Sequence, residues 1–380
     1  MIKEKMIKGV MIEGLKGFQR QPLKTGRWFI VTVIALLCLM PAGCNVRREK
    51  VFTGRTMGTT YSVKVVTGYL QPVSGLQSQI DKRLDDINQS MSTYRDDSEI
   101  SRFNRLTTAG EKFRVSPDFM RVMQMAQKVF TITEGAWDGT VKPLVDLWGF
   151  GTEGIKTVPP PPAAIQQRLQ AVGFDAIQIL DDRFLVKRKA TVNLDLASIA
   201  KGYGVDQIAA LLRDSGIENF LVEIGGEVYA AGHRKDGLPW RVGINTPRKE
   251  ASLDQVYKVV NLTNGAMATS GDYRNFFEID QKRYSHVIDP RNGYPVANGV
   301  VSASVLSADC TFADGMATAL IVMGPDKGIE LVNRLEGVDC LIVEMQADGT
   351  LIDHYSKAFS SVQLRKTGVK PVLDNNDPVR

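Results

Sequence analysis

Asn193-Leu194-Asp195-Leu196-Ala197-Ser198-Ile199-Ala200-Lys201-Gly202-Tyr203 is the stretch on which the reading of this chain turns. It predicts a strand over 191–195 and a helix from about Ser198 to the neighbourhood of Asp214, stopped near Ser215-Gly216. A helix start presents unpaired N–H groups and the positive end of the helix dipole, which suits a phosphate. Lys201, one turn in, adds a full charge at that place. The same residues also suit a plain cap made by Asp195 and Ser198, with Lys201 in solvent. The stretch alone does not separate the two.

Working outward, Val51–Phe52 and Thr60–Val66 read as strands around the turn Met57-Gly58-Thr59. Leu76, Ile80, Leu84, Ile87 and Met91 recur at spacings of four and three, the mark of an amphipathic helix. Ser116-Pro117 supplies a cap and a first-turn proline for a second helix, whose apolar face uses Phe119, Val122, Met123, Ala126 and Phe130. Pro159 to Pro162 form a rigid loop before a helix carrying Ile165, Leu169 and Val172. Strands are expected at 176–180, 184–187, 221–224, 228–231, 240–244, 257–262, 274–279, 300–306 and 339–344, and further helices at 309–322 and 326–335. Strands and helices alternate without a βαβ rhythm. The expected fold is therefore α+β, with mixed, largely antiparallel sheets and packed helices.

The formal charge of +5 is concentrated at the front, where residues 1–43 hold seven Lys/Arg and two Asp/Glu. The remainder is close to neutral and gives no reason to propose nucleic-acid binding. Lys16, Arg20, Lys24 and Arg27 precede an apolar run from Trp28 to Met40, then Pro41-Ala42-Gly43-Cys44. That run is short for a membrane span and suits a signal-peptide core. Small residues ending in Cys44 resemble a bacterial lipobox, so residues 1–43 are read as a lipoprotein signal peptide, Cys44 as the lipidated residue and 44–52 as a tether. An uncleaved single anchor is the alternative, and both place the body on the periplasmic side of the cell membrane. Residues 346–380 are read as a C-terminal segment, disordered at its end. Cys310 and Cys340 remain, either buried thiols or a bridge.

Gly149-Phe150-Gly151-Thr152-Glu153-Gly154 fits G-x-G-x-x-G, but a dinucleotide fingerprint needs a strand before it and a helix opening inside it, and here a proline-rich loop follows. In Ala313-Asp314-Gly315-Met316-Ala317-Thr318 the two oxygen-bearing side chains are four apart, on one helical face. An unpaired carboxylate among small apolar residues is costly, and either a hard cation such as Mg²⁺ or a cap or pairing with a distant arginine would resolve that cost. Gly315 inside a helix costs about 1 kcal/mol relative to alanine, which a close approach would explain. His286 lies between a strand and the turn Asp289-Pro290-Arg291-Asn292-Gly293, where an imidazole can act as a general base or serve structure. His233, in a polar loop, reads as solvated.

Together these blocks resemble the FAD:protein FMN transferase family (ApbE-type). The resemblance is carried by Met57-Gly58-Thr59-Thr60-Tyr61, Ser92-Thr93-Tyr94-Arg95, Val141–Leu144 with Trp148–Gly151, Asp195–Tyr203, Val222–Glu227, Thr269–Tyr273, Ser285–Gly293 and Ala313–Leu320, in this order over roughly 53–345. It implies an ApbE-type, T-fold-like domain that moves FMN from FAD to a threonine or serine hydroxyl of an acceptor flavoprotein, with release of AMP. It further implies that Met57, Tyr94, Ala136, Trp137, Asp138, Asp195, Lys201, Val287 and Ile288 contact FAD. Ser198, Asp314 and Thr318 would hold Mg²⁺, and His286 would help deprotonate the incoming hydroxyl. Family acceptors are flavin-carrying subunits of membrane electron-transfer complexes. The competing expectations are a Mg²⁺-dependent FAD pyrophosphatase and a non-catalytic flavin-binding lipoprotein.

Overall fold

The structure is a computed structural model that describes residues 47–151, 158–252, 255–272, 276–279 and 282–359. The expected signal segment, Cys44 and the end of the chain from 360 lie outside the described residues. Its frame is an eight-stranded sheet in which every neighbouring pair is antiparallel. The strands are β1 (Arg48–Thr56), β2 (Thr59–Thr67), β6 (Asn219–Ile224), β7 (Glu227–Ala231), β10 (Asn264–Gly271), β13 (Val300–Ser307), β14 (Asp339–Met345) and β15 (Leu351–Tyr355), in that spatial order. The expected α+β class with antiparallel sheets is what the chain adopts. The sheet begins inside the stretch read as tether and continues past 345 through β15.

Helices cover one face. α1 (Leu76–Met91) and α3 (Pro117–Ile132) form where the periodicity placed them, and Ser116 Oγ accepts the Phe119 N–H at 3.2 Å. Leu76, Ile80, Leu84, Ile87 and Met91 are all buried. The two central helices are α6 (Ala197–Asp214) and α7 (Cys310–Val332), the latter kinked at Gly324, φ 78°, ahead of Pro325. β6 turns Phe220, Val222 and Ile224 toward Val205, Ile208, Ala209 and Leu212 of α6. On the other face a two-stranded ribbon, β8 (Trp240–Asn245) and β9 (Val256–Leu262), packs Trp240, Val242 and Val260 on Val66, Val228, Met267 and Val343. The result is two apolar layers, one on each side of the sheet.

Smaller elements close the ends: α2 (Glu99–Asn104), α4 (Lys142–Leu147), α5 (Pro162–Leu169), a three-stranded sheet of β3 (Lys112–Arg114), β4 (Ile177–Ile179) and β5 (Phe184–Lys187), and the hairpin β11 (Phe276–Ile279) with β12 (Lys282–Ser285). The G-x-G-x-x-G stretch begins after α4, not after a strand, so the dinucleotide reading of it fails for the reason given above; residues 152–157 lie outside the described ones. Cys310 and Cys340 are both buried free thiols, and burial pushes both pKa values up.

One expectation needs correcting. The strand expected over 191–195 is not formed: 191 lies in a turn and 192–196 belong to no strand. Their backbone is claimed instead by loops, with Asp195 N–H on Gly139 O at 2.7 Å and Leu194 N–H on the Asn104 side chain at 2.8 Å. Strand-like sequence here finds irregular segments as partners.

Candidate active site

The crossing of α6 and α7 builds the centre of the site. Asp206 on α6 accepts the first free N–H groups of α7, from Cys310 and Thr311, both at 2.8 Å, and the Thr311 hydroxyl at 2.5 Å. One turn earlier, Gly202 faces Cys310 and Asp314, and a Cβ there would stand 2.3 Å from the Cys310 carbonyl oxygen. Earlier still, Ile199 packs at Gly315. The helices therefore run in opposite senses, and the register carries Ser198, at the start of α6, toward Thr318.

Asp314 is neither capping nor paired with an arginine. Its Oδ2 accepts the Gly202 N–H at 2.9 Å, and its Oδ1 lies 3.3 Å from Lys201 Nζ. Lys201 also lies 3.0 Å from Glu227 Oε1. The two carboxylate side chains are 3% and 4% exposed, whereas the Lys201 side chain keeps 27% of its surface exposed, so the lysine stem reaches the surface while its ammonium lies between the two acids. Two carboxylates hold Lys201 above the usual lysine range against the opposing pull of burial. Burial drives the Glu227 carboxyl up to about 8, with Asp314 repelling it and Lys201 opposing the rise. Glu227 Oε2 has no hydrogen-bond partner among the described residues. Two acids against one ammonium leave the pocket acceptor-rich.

Two turns roof this triad. Met57-Gly58, both at positive φ (48° and 74°), join β1 to β2, and Gly225-Gly226 join β6 to β7. A Cβ on Gly225 would meet Thr59 at 2.8 Å and the Lys201 stem at 3.4 Å, so glycine is required there both by space and by φ 62°. Met57 rests against Gly204 of α6. Met57, Lys201 and Asp314 are thus brought together, as expected.

A second cluster follows along β10. Ser270 lies on the face of β10 that meets α7, and Asp272 follows directly after the end of the strand. Ser270 Oγ and Thr318 Oγ1 are 3.0 Å apart. Asp272, buried, accepts the Ser285 hydroxyl at 2.5 Å and lies 3.3 Å from His286 Nδ1. The Ser285 oxygen in turn receives the Val287 N–H at 2.9 Å. A cleft of about 290 Å³, lined by Asp272, Ser285, Asn298 and Gln346 among others, opens beside this pair. Val287 is half-buried against the core, and Ile288 is buried with Leu144, Trp148 and Ile165.

The remaining expected contacts divide. Asp195 Oδ1 accepts the Ala197 N–H at 3.0 Å in a turn just ahead of α6, whose cap position is Leu196, without a side-chain cap. Ser198 Oγ accepts the Trp137 indole N–H at 3.0 Å. Trp137 is 1% exposed and packs edge-on against Phe174, which leaves it no open face for stacking here. Ala136 is buried, and the Asp138 carboxylate is taken up by Thr140 and the Phe174 N–H. Tyr94 is the reverse, 92% exposed in the loop after α1. Sequence reasoning assigned no part to Glu227, Asp272 or Ser270. Asp272 lies 14 positions before His286 in the chain, and the β11–β12 hairpin between them brings Ser285 and His286 back to it.

A buried acid–lysine–acid triad at a helix crossing, with an Asp–His pair beyond the end of β10, has the make-up of an enzyme site. The chain belongs to the ApbE family, whose model matches residues 57–342. A protein of Vibrio cholerae described as FAD:protein FMN transferase is 43% identical over 330 residues, covering 85% of this chain and 95% of its own length. One of Haemophilus influenzae with the same description is 38% identical, covering 87% and 96%. Among solved structures, the flavin transferase ApbE from Vibrio cholerae superimposes with a TM-score of 0.75 at 40% identity, over 83% of this chain and 99% of that one. The apo flavinyl transferase ApbE of Pseudomonas stutzeri gives 0.75 at 35%, over 83% and 97%.

Proposed function

We propose that this chain is an FAD:protein FMN transferase that joins FMN through a phosphoester bond to a threonine or serine hydroxyl of an acceptor flavoprotein. The observation that carries this reading is the Lys201–Glu227–Asp314 triad beneath two glycine turns, which sets a lysine ammonium and acidic oxygens beside backbone that a pyrophosphate can approach. The acceptor oxygen attacks the phosphorus on the FMN side, the bond from that phosphorus to the bridging oxygen breaks, and AMP departs with that oxygen. Lys201 offsets charge developing on the phosphate oxygens. Asp272 holds Nδ1 of His286 and favours the tautomer in which Nε2 takes the hydroxyl proton.

The surroundings offer oxygen ligands to a hard divalent cation: the Ser270 and Thr318 hydroxyls lie 3.0 Å apart, the Asp314 carboxylate sits one helical turn before Thr318, and Glu227 Oε2 is unsatisfied. Asp314 and Thr318, with Ser198, would hold Mg²⁺, which supplies further neutralisation of the phosphates. We further propose that residues 1–43 are an export signal, that Cys44 is lipidated on the periplasmic side of the cell membrane, and that acceptors are subunits of membrane electron-transfer complexes.

The test is incubation with FAD, Mg²⁺ and a threonine-bearing acceptor, followed by denaturing electrophoresis. Acceptor-bound flavin fluorescence with AMP release is expected. FMN released with the acceptor unlabelled would make the chain an FAD pyrophosphatase, and FAD bound with no AMP formed would leave it a carrier.

A further inference from the structure

The triad and both glycine turns lie at one end of the sheet, where β1 finishes. The opposite end, where β1 begins, carries a surface that the transfer reaction does not use. There Arg48, Lys50 and Val51 of β1 are exposed, and the Arg48 guanidinium lies 4.3 Å from the centre of the Tyr69 ring. Tyr69 and Leu70, just past the end of β2, are 65% and 91% exposed. The β7–β8 loop reaches the same end and adds Arg234, Lys235 and the exposed Leu238. A cleft of about 540 Å³ beside them is lined by Lys64, Arg234, Lys235 and Arg241 around Leu221 and Trp240, against Glu49 and Asp236. Asp236 is spent on Arg234. Basic side chains thus surround protruding apolar ones, the composition of a surface that meets anionic lipid headgroups while inserting aromatic and aliphatic tips.

We propose that this end of the sheet docks on an anionic phospholipid surface and holds the active site away from it. The proposal rests on the anchored-transferase reading for its tether. A lipid on Cys44 is four residues before Arg48, a chain reach of at most about 14 Å. Nine residues of β1 then span about 30 Å to the Met57 turn. Tethering at the basic end and chemistry at the far end give a fixed orientation, with the site facing the acceptor domains of neighbouring membrane complexes.

The test places the full chain in vesicles of neutral phosphatidylcholine, with or without about one third phosphatidylglycerol. An environment-sensitive fluorophore is attached at Leu70→Cys or, as the control at the other end of β1, at Arg55→Cys; Cys310 and Cys340 are buried and do not compete, and where Cys44 carries no lipid Cys38 and Cys44 are replaced by serine before labelling. Spin-labelled lipid should quench the label at 70 strongly on anionic vesicles and leave the label at 55 unaffected. Lys50→Glu, Lys235→Glu and Arg241→Glu together should abolish the difference between anionic and neutral vesicles, at roughly five-fold in partitioning per residue, with FMN transfer to a soluble acceptor unchanged. Equal quenching at both labels, or equal quenching on neutral vesicles, overturns the proposal. So does a triple variant that keeps its orientation but loses affinity for the acceptor protein, which would make the patch an acceptor-docking surface. Mass spectrometry of Cys44 separates the two readings: without lipid the anchor fails, and the same labels still decide the docking, because the N-terminal segment enters β1 at the same point.

Discussion

Replacing Gly202 by alanine asks whether the α6–α7 crossing, rather than the mere presence of Lys201 and Asp314, makes the site. In a helix interior Gly→Ala ordinarily stabilises by about 1 kcal/mol. Here the added Cβ would stand 2.3 Å from the Cys310 carbonyl oxygen, 2.7 Å from its carbon and 2.9 Å from Asp314 Cβ. Two of those atoms are backbone, so the helices must separate by most of an ångström. Overpacking of this kind costs ~1–3 kcal/mol. Separation also stretches the 2.9 Å hydrogen bond from Gly202 N–H to Asp314, and a bond to a charged group contributes ~1.5–3 kcal/mol. Set against the propensity gain, the net loss is about 1.5–5 kcal/mol, or on the order of 2–8 °C in Tm for a body of this size. Calorimetry and the flavinylation assay should show both the lowered Tm and transfer reduced at least ~10-fold, because Lys201 and Asp314 no longer share a register. Gly315→Ala is the internal control. Its Cβ would meet only side-chain tips of Ile199 and Val129 at 3.3 Å, so its Tm should move by no more than about 3 °C. If Gly202→Ala melts with the wild type and transfers FMN normally, the argument from close helix approach is wrong.

Asp314→Ala should abolish turnover at every Mg²⁺ concentration, and normal activity with Mg²⁺ present would overturn the metal assignment. His286→Gln should lower transfer by ~10²–10⁴-fold while FAD binding, read by flavin fluorescence, stays within about two-fold; a matching loss of binding would make His286 a substrate contact rather than a base. Asp272→Asn should reduce kcat with little change in KM for FAD, since it acts through the orientation of the imidazole, and an unchanged kcat refutes that role. Glu227 makes a pH prediction. Its folded pKa is about 8 against an ordinary 4.5, so between those values the folded protein holds the extra proton and stability falls as pH rises. Lys201 is protonated in both states throughout that window and adds no slope. Burial also lifts Asp206 to about 6, so urea melts at pH 5 and pH 8 should differ in the wild type and differ less in Glu227→Gln; an equal slope in the variant rejects the assignment.

What the chain discloses of itself follows from which constraints are local. α1 and α3 were legible because each buries one stripe at 3.6-residue spacing, and Ser116-Pro117 marks its own helix start. The antiparallel class was legible from strands without crossover helices between them, but the order β1-β2-β6-β7-β10-β13-β14-β15 was not, because it is set by which faces α6 and α7 cover. The stretch before α6 misread as a strand shows the same limit, since strand propensity is local and a hydrogen-bond partner is not. Asp314 and Lys201 were picked out one at a time by the cost of burying a lone charge and by the pull of a helix start. Their pairing across 113 positions explains both, and it removes the unpaired carboxylate from which the metal reading began. The case for a cation consequently shifts to Glu227, a residue that reads as the unremarked end of a glycine turn. With Lys201 shared between two acids, it is the second acid, not the first, that leaves a buried oxygen unsatisfied. A bound cation or a phosphate-held proton would satisfy it, and either makes substrate binding and the charge state of this triad one coupled event.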